Sequence, residues 1–133
     1  MVTHKWEETS NSSRYPNNRI LVILGIRPYI NAMDRFIHPD LKDVPLASIL
    51  HALSDPTRLT IVARLNGNDE GLACNCAAPD DLPRATLSNH FTVLRSAGLI
   101  ESRKQGTKVV NRVRRADIEA RFPGLLDAVL NAA

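Results

Sequence analysis

From Val44 onward the apolar residues of this chain fall into helical spacing. Leu46, Ile49, Leu50 and Leu53 share one face, which predicts a first helix over 45–53. Ser54-Asp55-Pro56 then stops that helix and opens another. Ser54 or Asp55 can accept from the free N–H groups of the first turn, and proline fits there because its missing N–H would have had no helical partner. Leu59, Ile61, Val62 and Leu65 form the inner face of this second helix, and Asn66-Gly67-Asn68 ends it.

The next stretch, 69–83, is less regular. Leu72, Ala73, Cys74 and Ala77 suit a short helix confined by Pro79 and Pro83. Periodicity returns with Leu87, Phe91 and Leu94, at i, i+4 and i+7. Thr86 or its neighbour is expected to cap this helix, and Gly98 stands where a C-terminal glycine belongs. Leu99 and Ile100 lead into a charged hairpin, with strands over 100–104 and 108–113 and a turn at Gln105-Gly106. A final helical pattern over 116–130 is interrupted at Pro123. There is no internal repeat. The expected fold is mainly α with a small β-hairpin. Its order, two helices, a short helix, a longer one, a hairpin and a last helix, is that of a winged helix-turn-helix.

Composition sharpens this picture in three places. The chain has 133 residues, enough for one core, and aromatics are only 5% of it. Leu, Ile, Val and Ala must therefore fill the core, which favours packed helices over a large sheet. Residues 1–19 are rich in Asn, Ser and Thr and are too polar to offset the entropy of ordering. The apolar run Ile20–Ile26 is too short to span a bilayer, is followed by Arg27-Pro28, and does not sit in a clean signal peptide. It fits either an extra element on the core or an apolar tail. Residues 1–32 are accordingly expected to be a disordered or dispensable extension, and 33–133, opening at Met33, the winged helix-turn-helix domain for DNA binding and dimerisation. Finally, Arg84, Arg95, Arg103, Lys104, Lys108, Arg112, Arg114 and Arg115 lie in one stretch with Glu101 as its single acid. The whole chain carries only +3, so the remainder is acidic. A cationic region on an acidic molecule suits a polyanionic partner.

Two motifs resemble a known family. Leu53-Ser54-Asp55-Pro56-Thr57-Arg58-Leu59 is similar to the opening signature of arsenic-repressor-type transcription factors. Thr86-Leu87-Ser88-Asn89-His90-Phe91-Thr92-Val93-Leu94-Arg95-Ser96-Ala97-Gly98-Leu99-Ile100 resembles their recognition helix. The resemblance covers about 44–131. It implies a cytoplasmic, DNA-binding repressor without enzymatic activity, dimeric through its first and last helices. Leu46, Ile49 and Leu50 from the first helix and Leu125, Leu126, Val129 and Leu130 from the last are the residues suited to that interface.

The residues support DNA binding on their own chemistry. A helix that reads a major groove presents short polar side chains near its N-terminal end. With Leu87, Phe91 and Leu94 turned inward, Arg84, Thr86, Ser88 and Asn89 remain outside. Arg can bind a guanine edge in bidentate fashion and Asn an adenine edge, while Ser and Thr reach phosphates or bases. His90, beside Phe91, is placed either to pack or to contact DNA, and Arg95 joins the same candidate set. The hairpin adds Arg103, Lys104, Lys108 and Arg112, whose charges would strengthen binding without regard to sequence. One such module offers little contact area, so a homodimer on double-stranded inverted-repeat DNA is expected.

Cys74 and Cys76 are too few for a secreted disulfide framework, which agrees with a reducing cytoplasm. They are the candidate ligands for a thiophilic metal or metalloid ion, and so for release by a thiol-reactive effector. Against this, residues at i, i+2 do not share a helix face, and two sulfurs do not complete a zinc site. Incidental thiols are the alternative. Two other functions stay open: a winged-helix protein-interaction module without DNA binding, and a thiol redox protein. No phosphate loop or acid–base pair supports other chemistry.

Overall fold

Asp55 joins the first two helices. In the computed structural model, which describes residues 36–133, its carboxylate accepts from the Arg58 backbone N–H at 3.0 Å. That bond holds the Asp55 carboxyl below its ordinary range, against the opposing effect of burial. Helix α1 covers Leu46–Leu53 and α2 covers Pro56–Asn66, with Pro56 in the first turn as its missing N–H allows. The expectations for residues 1–32, and for Met33 as the opening of the domain, lie outside the described residues.

Three departures from the sequence expectation follow. Leu72–Ala73 is a strand, β1, and only Cys74–Ala77 forms the short helix α3. The recognition-type helix α4, Arg84–Ser96, starts two residues before Thr86. Its cap is Pro83, which makes no side-chain cap bond. The strands β2 (Ile100–Gln105) and β3 (Lys108–Val113) pair one residue further than expected, so the turn is Gly106-Thr107, with Gly106 at φ +61°. Glycine at the first turn position supplies the positive φ that a twist-matched two-residue hairpin needs. β1 adds to the other edge of β3, giving an antiparallel sheet in the order β1-β3-β2.

The chain ends in α5 (Arg115–Arg121) and α6 (Leu125–Ala132), broken around Pro123 as expected. α4 is closed by Gly98, at φ +78°. The Leu99 N–H reaches back to Leu94 O at 3.1 Å and the Gly98 N–H to Arg95 O at 2.9 Å, satisfying carbonyls the helix leaves open.

Side chains from every helix and from the sheet meet in one core. Ile49, Ile61, Val62, Leu65, Phe91, Leu94, Leu99, Ile100, Ile118 and Leu126 are all essentially inaccessible. A charged residue joins them. Arg58 is 9% exposed, and its Nε donates to Ala52 O at 2.6 Å and Nη2 to His51 O at 3.2 Å. The guanidinium thus caps the last turn of α1 from α2 and ties the two helices together.

Candidate nucleic-acid interface

A helix buried along one stripe shows the rest of its circumference to solvent. On α4, Phe91 and Leu94 are buried and Leu87 is half-buried, and Arg84, Thr86, Ser88 and Asn89 are exposed. Ala85 and Thr92 share that outer surface. The first turn of α4 carries no acid, so its free N–H groups and Arg84 leave that end favourable to an anion, although Asp80 and Asp81 lie in the loop before it.

Three residues of the candidate set are held inside the protein: Arg95 and Arg112, expected at the interface, and His90, for which packing was one of two readings. His90 is 9% exposed, with Nδ1 3.5 Å from Arg58 Nη1. It faces the core because it follows Leu87 by three positions on the same stripe. Arg95 is half-buried. Its Nη1 donates to Ser102 Oγ at 3.1 Å, its Nη2 to Thr92 Oγ1 at 3.2 Å, and its guanidinium lies 4.6 Å from the Phe36 ring centre. Burial pulls its pKa below the usual arginine range. Arg112 is bound to Glu101, with Nη2 2.8 Å and Nε 3.0 Å from Oε1. Burial raises the Glu101 carboxyl despite that bond.

On the hairpin, Lys108 is exposed and Lys104 half-exposed, while Arg103 lies half-buried along β2. The outer face of α4 and the hairpin tip are therefore both accessible and polar. Thr92 was missed on the helix face, although it stands four positions after Ser88, as a helical projection requires. Arg58 was missed because hydrophobic patterning assigns every arginine to the outside.

Cys74 is half-buried and its Sγ lies 3.2 Å from Asn111 Nδ2, whereas Cys76 is exposed. Both are free thiols on a four-residue helix. Among the described residues no group of three or more His, Cys, Asp or Glu is arranged to hold a metal ion.

Of the residues expected at a dimer interface, Ile49 and Leu126 are buried in the core, 0% and 1% exposed, and are not available to a partner. Leu46 and Leu50 are 44% and 46% exposed, one helical turn apart on α1. Leu125, Val129 and Leu130 on α6 are half-buried. Among the described residues no helix is long and apolar enough to cross a membrane.

Comparison with known proteins adds the following. Residues 53–103 match a family described as a helix-turn-helix domain. The chain is 43% identical over 63 residues to an uncharacterized HTH-type transcriptional regulator of Methanocaldococcus jannaschii, covering 46% of this chain and 68% of the relative. It is 32% identical over 84 residues to another such regulator of Bacillus subtilis, covering 62% of this chain and 84% of the relative. Among solved structures, an ArsR-like transcriptional regulator from Rhodococcus sp. RHA1 shares 28% identity at a TM-score of 0.46, over 65% of this chain and 87% of that one.

Proposed function

This chain belongs to the HTH-type transcriptional regulators, and we propose that it is one of the arsenic-repressor type, which its two motifs resemble: a repressor that binds an inverted-repeat operator as a homodimer. The observation that carries this reading is the outer face of α4, where Arg84, Thr86, Ser88 and Asn89 are all exposed at the end suited to a major groove.

In this reading α4 reads base edges, and Lys104 and Lys108 add phosphate contacts from the hairpin. The exposed Leu46 and Leu50 on α1, with Val129 and Leu130 on α6, supply apolar area for a two-fold contact. The test is genomic binding-site selection with the purified protein, followed by measurement of chains per site. The expected result is an inverted repeat with half-sites about one helical turn apart, bound by two chains. Selection of single, unpaired sites by one chain would overturn the dimeric reading. Absence of any enriched sequence would overturn the operator itself.

A further inference from the structure

Asparagine is a poor strand former and is seldom fully buried. Asn111 nonetheless sits in the middle of β3 at 0% exposure. Its partners across the sheet are Leu72 on β1 and Ser102 on β2. Both ends of its amide are engaged. Oδ1 accepts from Ser102 Oγ at 2.5 Å, and Nδ2 donates to Leu72 O at 3.3 Å and to Cys74 Sγ at 3.2 Å. Having given its one proton to Asn111, the Ser102 hydroxyl offers a lone pair to Arg95 Nη1 at 3.1 Å. A continuous polar chain therefore runs from α4, through β2 and β3, to β1 and the first residue of α3.

We propose that Asn111 is a positioning residue for DNA binding, which fixes the angle of the hairpin against α4 and so brings Lys108 to the DNA that α4 engages. The inference rests on the DNA-binding reading above. The tip of the hairpin is exposed from Gln105 to Lys108, so its direction is set at the root, where Asn111 and Ser102 are buried. Lys108 lies three residues along β3 from Asn111, or about 10 Å at a strand's rise of about 3.3 Å per residue. A tilt of about 15° at the root moves that position by about 2.6 Å, enough to break a hydrogen-bonded phosphate contact. An apolar residue at 111 would keep the strand but leave the Ser102 hydroxyl without its acceptor and Leu72 O without its side-chain donor, so that nothing ties α4 through Ser102 to β3.

The test is a double-mutant cycle on operator affinity, measured at a temperature where circular dichroism shows every variant folded. Asn111→Asp keeps the acceptor for Ser102 but has no N–H for Leu72 and Cys74. Ser102→Ala cuts the Arg95 link and leaves β1 paired, and serves if the aspartate variant does not fold. Lys108→Ala is expected to weaken the wild-type protein about three-fold, as a single exposed charge contact does, and to have almost no effect in the Asn111→Asp or Ser102→Ala background. Asn89→Ala, on α4 itself, should cost the same in all backgrounds. Equal losses from Lys108→Ala in every background would overturn the positioning role and leave the hairpin contact intact. A silent Lys108→Ala in the wild-type protein would overturn both, while the loss from Asn89→Ala would still report the helix.

Discussion

Glu101 and Arg112 face one another across the hairpin, and both guanidinium contacts, at 3.0 and 2.8 Å, fall on the same carboxylate oxygen. The other oxygen, Oε2, is buried and has no hydrogen-bond partner among the described residues. Desolvation therefore outweighs the bridge, and the Glu101 carboxyl is pushed above its ordinary range.

An acid whose pKa is raised by folding binds more protons when folded. The stability it contributes is present below its unfolded pKa, near 4.5, and is lost as pH rises through the folded value. Glu101→Gln carries no such proton, so the urea midpoint of the wild-type protein should fall relative to that of Glu101→Gln as pH rises from 4.5 towards 8. A constant difference would show that Glu101 does not titrate in this way. Arg112→Ala leaves a buried carboxylate alone and should cost about 3 kcal/mol of stability at neutral pH, with the salt slope of DNA binding unchanged. Loss of one unit of slope without loss of stability would instead place Arg112 on the DNA.

Residues of α4 should separate by side. Arg84→Ala and Asn89→Ala are each expected to weaken operator binding by about 1–3 kcal/mol and to leave the melting curve within about 0.5 kcal/mol of wild type. His90→Ala should do the reverse. It removes the side-chain partner of Arg58 Nη1 and should cost about 1–2 kcal/mol of stability, with affinity per folded molecule unchanged. Anisotropy titrations and thermal melts on the same samples distinguish the two patterns.

Neighbouring residues on α1 should also part. Leu46→Glu with Leu50→Glu is expected to yield a folded monomer in sedimentation experiments, since both side chains already meet solvent. Ile49→Ala, in the core, should destabilise by about 2–5 kcal/mol. A dimer that survives both glutamates would move the interface off α1.

Gly98→Ala should destabilise by about 1–2 kcal/mol from its left-handed backbone alone. A Cβ there would also come within 2.5 Å of Leu41 Cδ2, so the buried Leu41 must shift. A melt indistinguishable from wild type would refute this.

What was legible in the sequence was whatever is decided locally. The Asp55-Pro56 start, the Gly98 stop and the break at Pro123 each depend on a few adjacent residues, and alternation around Gly106 marked the hairpin. β1 escaped notice because two residues have no period, and what makes Leu72–Ala73 a strand is its pairing with Val110 and Asn111 far along the chain. Pro83 is not legible as a cap because it has no side-chain oxygen to offer the first turn. The outer residues of α4 followed from the inner ones by geometry. His90, three positions after Leu87, was open to packing on the same geometry. Arg58, Arg95 and Arg112 did not follow, because whether a charged side chain turns inward depends on partners that only the folded chain assembles.

The guanidinium of Arg58 touches more than one helix. Its Nε and Nη2 hold the end of α1, and its Nη1 lies against His90 on α4. One rigid, planar group thereby spans the helix with the exposed leucines and the helix with the exposed polar residues. The separation between those two surfaces has only the slack of three hydrogen bonds. In a two-fold assembly through α1, that separation would act as a ruler: twice its length sets how far apart two copies of α4 stand, and the protein rather than the DNA would choose the spacing.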